Sequence, residues 1–120
     1  MGNAGSYVGS PQHRLNWNLN KGDYPRALSA AFEAEHVRLE DALRLTMLAA
    51  HHEPDPDRFE RMAWRFVVRL EAERELTDGL LRYVIRDLNA LRQRQPFEWE
   101  EAERRLQKVA EKLARSFREV

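Results

Sequence analysis

Apolar residues recur every three or four positions through nearly all of residues 24–120, and Arg and Glu fill the positions between them. That spacing gives each of a series of helices one apolar stripe and leaves its remaining faces charged and solvated. A chain patterned this way has almost no room for anything but a helical bundle. The expected fold is all-α: an antiparallel bundle of three long helices over 23–120, or four if the chain breaks near Gly79, preceded by a flexible N-terminal arm over 1–22.

At 120 residues such a bundle is a single domain that buries roughly two-thirds of its unfolded surface. Twenty basic residues balance twenty acidic ones, so there is no bulk attraction to nucleic acid or to an anionic membrane. The chain has no cysteine, which removes disulfides, thiol catalysis and thiolate metal sites together. No apolar run approaches the ~18 residues that span a bilayer and no signal-peptide core follows Met1, so a cytoplasmic location is expected. Seventeen of the twenty basic residues are Arg, the side chain that pairs in a fork with carboxylates and phosphates.

The arm holds Gly2, Gly5, Gly9 and Gly22 together with Asn3, Asn16, Asn18 and Asn20. Such a composition favours flexibility, and deleting it is expected to cost little stability. Within it Leu15, Trp17 and Leu19 alternate with asparagines, which places all three on one face of an extended segment. That face either folds back on the bundle or docks a partner.

The first helix is expected to open on Asp23 with Pro25 in its first turn and to run to about Ala50. Its stripe reads Leu28, Phe32, His36, Leu39, Leu43, Met47 and Ala50. Pro54 forces Glu53 out of the helix, and Asp55 with Pro56 starts the next one. Phe59, Ala63, Phe66 and Leu70 form that stripe, which fades before Thr77-Asp78-Gly79; Leu81, Val84, Leu88 and Leu91 resume it. A single helix over 56–94 would be about 58 Å long, which favours a break at 77–79. The last helix starts at Pro96 and carries Trp99, Ala102, Leu106, Val109, Leu113, Phe117 and Val120 at heptad spacing.

Residues that stand off these stripes are the candidates for function. Trp64 and Val68 point about 130–170° away from the Phe59–Leu70 stripe, and Tyr83 is off the stripe of the following segment. They form a candidate protein interface, with Leu15, Trp17 and Leu19 as a second one. Arg58, Arg61, Arg65 and Arg69 step by three and four along one flank, and Arg82 with Arg86 continue the pattern, as phosphate contacts at successive turns would. Glu60, Glu71, Glu73 and Glu75 stand close enough to pair with them instead. Glu33-x-x-His36 is one copy of a motif that dinuclear carboxylate bundles use twice, so no metal and no cofactor is expected. His51 and His52 suit the negative end of a helix. There is no Gly-rich phosphate loop or nucleophile elbow, and no enzymatic activity is expected.

Met1-Gly2-Asn3-Ala4-Gly5-Ser6 fits the N-myristoylation pattern, with Gly2 as the acceptor. A lipidated start on a helical chain of this size resembles a retroviral matrix domain, which implies association with a membrane. The basic cluster of such domains is missing, since only Arg14 and Lys21 lie in the arm. In size and class the chain is also similar to small helical subunits of CRISPR effector complexes, which implies nucleic acid as a neighbour. The leading expectation is a helical module that binds protein, either itself or larger subunits of an assembly. The second is a nucleoprotein subunit that adds an Arg flank.

Overall fold

Among the described residues the periodicities of 24–120 form five helices, and a sixth precedes them. The computed structural model describes residues 10–74, 78–93 and 96–119. Among these the elements are α1 (Pro11–Lys21), α2 (Tyr24–Glu33), α3 (Leu39–His52), α4 (Pro56–Glu73), α5 (Asp78–Gln93) and α6 (Pro96–Glu119), with no strand. The expected three long helices are therefore corrected within 24–52, and the expected flexible arm carries a helix of its own.

The first correction concerns 24–52. One continuous helix would hold residues 24 and 53 about 44 Å apart. Instead the Tyr24 hydroxyl donates to Glu53 Oε1 at 2.6 Å, because the chain doubles back between α2 and α3. Ala34 and Arg38 take extended conformations at that bend. Neither Gly nor Pro marks it, and Arg38 makes no side-chain cap. His36 consequently sits exposed in the bend rather than on an apolar stripe, and Phe32 is 74% exposed.

The second correction concerns the N-terminal segment. Ser10 caps α1 by accepting from the His13 N–H, and Pro11 opens it at the position where a missing N–H costs nothing. Gly22 closes it with φ +73°, the left-handed conformation that lets its N–H reach back to Asn18 and Leu19 carbonyls. Helical rather than extended geometry puts Leu15 and Leu19 one turn apart on the buried face and sends Trp17 outward, where it packs under Lys21. Gln12 bonds Asp41 at 2.7 Å, Arg44 bonds Asn20 at 2.6 Å and Arg14 pairs with Glu33 at 3.1 Å, so α1 is fastened to α2 and α3. Residues 1–9 lie outside the described residues.

The break in 56–94 falls earlier than expected. α4 ends at Glu73 with Arg74 extended, while Gly79 is inside the first turn of α5. Residues 75–77 lie outside the described set. Beyond it, α5 is clamped to α6 by Asp87, a buried carboxylate that accepts Arg105 Nη2 at 2.7 Å and Nε at 3.0 Å. Those hydrogen bonds hold the Arg105 guanidinium yet more firmly protonated. α6 begins at Pro96 as read, and it buries Ala102, Leu106, Ala110 and Leu113.

α3 is the centre. It touches all five other helices, and Leu39, Leu43, Leu45, Thr46, Met47, Ala49 and Ala50 are buried on all sides of it. No described helix is long and apolar enough to cross a membrane.

Leu15→Ala removes a fully buried side chain from the α1–core contact and should lower the unfolding free energy by about 2–5 kcal/mol in urea titrations. An unchanged midpoint would mean that α1 does not dock. Arg105→Ala strands the Asp87 carboxylate and should cost on the order of 2–3 kcal/mol, more than typical surface pairs do.

Candidate interaction surface

α4 supplies the most unusual surface. Its start is set locally: Asp55 accepts from the Asp57 N–H at 3.0 Å, and Pro56 follows. Phe59, Phe66, Val67 and Leu70 then face the core, with Ala63 half-buried. Trp64 is 66% and Val68 50% exposed on the opposite side. The helix is therefore a ridge with an apolar crest, flanked by two open grooves.

Between α4 and α5 lies a groove of about 630 Å³, walled by Trp64, Val67, Ile85 and Leu88. Its charges are mixed: Asp57, Glu60, Arg61, Arg65 and Arg92 line it, and Glu60 pairs with Arg92 at 3.4 Å. On the other side α4 faces α2 and α3 across a groove of about 420 Å³. Leu28, Phe32, Val37, Leu45, Met62 and Phe66 form its apolar lining. Arg58, Arg61, Arg65 and Arg69 all line this second groove, so the ladder seen in the sequence is a single edge in space.

The four arginines differ in their partners. Arg58 reaches the buried Glu53 at 3.7 Å, and Arg69 pairs with Glu73 at 2.8 Å while its Nη2 is buried with no hydrogen-bond partner among the described residues. Arg61 and Arg65 have no ion-pair partner among the described residues.

Tyr83 stands elsewhere. It lies two positions from Ile85, which puts the two about 160° apart around α5. Ile85 lines the groove with Trp64, and Tyr83 lies on the far flank, 57% exposed beneath the Arg86 guanidinium at 4.9 Å. Arg82 and Arg86 line neither groove and do not extend the α4 ladder. Leu15 and Leu19 are core, and Trp17 is exposed on α1 away from them. Gly2 lies outside the described residues. Phe32, Ile85 and Met62 belong to the groove walls, and spacing alone did not single out the last two; their signal was apolar character beside a stripe.

Two clusters of titratable groups remain. His51 stacks on Trp99 at 4.7 Å and lies 2.7 Å from Glu103, joining α3 to α6. Glu53 is buried at the end of α3, holding the Tyr24 hydroxyl and accepting from the Asp55 N–H at 3.2 Å. Burial, then the Glu53 carboxylate, push the Tyr24 hydroxyl well above the usual tyrosine range. A phenol held that firmly protonated and closed off from solvent is a poor nucleophile or base near neutral pH, and it acts as a tie between α2 and α3. No three His, Asp or Glu side chains converge as metal ligands among the described residues.

No protein-family model, curated protein or solved structure matches this chain. Fold and surface define its class as a small all-α globule with an apolar, arginine-edged ridge.

The Tyr24 tie makes a pH prediction. Below the ordinary tyrosine value of 10, folded and unfolded chains both keep the proton and the bond to Glu53 contributes in full. Above it the unfolded tyrosine ionises while the folded one does not, so stability falls as pH rises. Urea midpoints between pH 9 and 11 should fall for the natural chain by more than for Tyr24→Phe; parallel curves would show that Tyr24 is not tied.

Proposed function

We propose that the chain is a non-enzymatic helical module that binds protein, as a self-associating unit or a small subunit of a larger assembly, with α4 as its contact element. One observation carries this: Trp64 and Val68 stand in solvent on the face opposite the buried stripe of the same helix. A helix with two apolar faces costs solubility unless the second is covered some of the time. Trp flanked by Arg is also the pairing in which the energy of protein interfaces concentrates. The nucleic-acid alternative rests on the Arg ladder. It is the weaker reading, because the net charge is zero, two of the four ladder arginines are already paired, and the groove they edge is apolar.

The test is light scattering coupled to size exclusion at low and high salt. Oligomers should persist at both, and Trp64→Glu should lower their mass while leaving the helical circular dichroism intact, since Trp64 is mostly solvent-exposed. A chain monomeric at both salts would overturn self-association. A Trp64→Glu chain that unfolds would place Trp64 in the core and remove the interface.

A further inference from the structure

The groove between α4 and the α2–α3 hairpin differs from the other in one respect. Every charged residue that lines it is an arginine, and no carboxylate does. Arg58, Arg61, Arg65 and Arg69 run along one edge over about 16 Å, three turns of α4. The opposite wall is apolar, with Phe32 of α2 at its lip, 74% exposed at a helix end where no described residue covers it. Arg61 and Arg65 are exposed and have no ionic partner among the described residues.

From this geometry we infer that the groove docks an acidic amphipathic helix of a partner protein, apolar side chains in the trough and carboxylates against the arginine edge. This inference rests on the protein-binding function and names its partner's chemistry. An apolar trough edged by one sign of charge selects a ligand with an apolar stripe and the opposite charge beside it. The arginines repeat at helical steps, so carboxylates three and four residues apart on a second helix meet them turn by turn. An extended peptide, with side chains about 6.6 Å apart on each face, falls out of step with a 5.4 Å helical pitch.

The described helices of a second copy of the chain do not supply that ligand. The acidic turns of α6 carry Glu98, Glu100, Glu101 and Glu103, but the apolar stripe beside them is buried in its own core, and Glu103 is held by His51. α4 exposes Trp64 and Val68, yet docking that crest would press its own Arg61 and Arg65 against those of the groove. The ligand therefore comes from another protein.

The test uses the full chain and a fluorescein-labelled, Ala-based helical peptide of about 18 residues, with Leu on one stripe and Glu along its flank. A second peptide replaces each Glu with Lys. Fluorescence anisotropy should show the Glu peptide binding about tenfold or more tightly than the Lys peptide. Arg61→Glu with Arg65→Glu should reverse that preference, and Phe32→Ser should weaken the Glu peptide without changing the charge preference. All three residues are exposed, so the variants should keep the helical circular dichroism and melting temperature of the parent. Equal affinity for the two peptides, or affinities unmoved by these variants, would overturn the inference. So would tighter binding of a labelled oligothymidylate than of the Glu peptide, which would assign the edge to phosphates. Loss of self-association in Phe32→Ser, which lines this groove and not the one holding Trp64, would overturn it in favour of a second copy. Trp64 lies in the other groove, so Trp64→Glu should leave peptide affinity unchanged. Should that variant dissociate the oligomer while the Glu peptide shows no preference, the groove inference fails and protein binding through the ridge stands.

Discussion

The rest of the structure depends on the burial of α3 on every side. A helix of fourteen residues that buries eight of them around its whole circumference cannot lie at the edge of a bundle, because each apolar face needs a cover. Five helices pack around it and share one core with it. α1 contributes Leu15 and Leu19, α2 Ala27 and Ala30, α4 Phe59 and Phe66, α5 Val84 and Leu91, and α6 Ala102 and Leu106. A three-helix bundle could not enclose α3 so completely. The bend after α2 and the docking of α1 both follow from that need.

Buried carboxylates then fix how the covering helices sit. Asp41 meets Gln12 from α1, Glu53 meets Tyr24 from α2, and Asp87 meets Arg105 from α6. Each joins two different helices through a charge that burial makes costly to leave unpaired. A helix shifted by one turn would strand that charge, so these contacts select one register among several that the apolar stripes alone would tolerate. Their net contribution to stability is smaller than their contribution to geometry.

The surface of α4 is a consequence of the same arrangement. α4 covers one side of α3 and lies against α5, which accounts for Phe59, Phe66, Val67 and Leu70 but leaves Trp64 and Val68 with nothing to cover. Because α2 bends away at Ala34, a trough opens between it and α4, and the arginines on that flank of α4 line it. The same residues on an isolated helix would be an ordinary solvated face. Placed beside an apolar trough, they become one wall of a surface with a definite chemical preference.

Much of this protein was legible in its residues alone. The 3.6-residue periodicity specified an all-α fold, and proline with its preceding aspartate marked the start of α4, just as Pro96 marked α6. These signals are local: a missing N–H or a side-chain cap acts within one turn, wherever the helix later packs. The bend at Ala34–Arg38 was not legible, since no Gly or Pro forces it and the packing of Tyr24 against Glu53 decides it. Nor was the helical docking of α1, where Leu15 and Leu19 fit a helix by i, i+4 spacing and a strand by alternation equally well. Which arginines share an edge, and that Tyr83 faces away from Trp64, depended on how helices rotate against one another. That rotation is set by contacts between residues far apart in the chain, so only the tertiary structure could determine it.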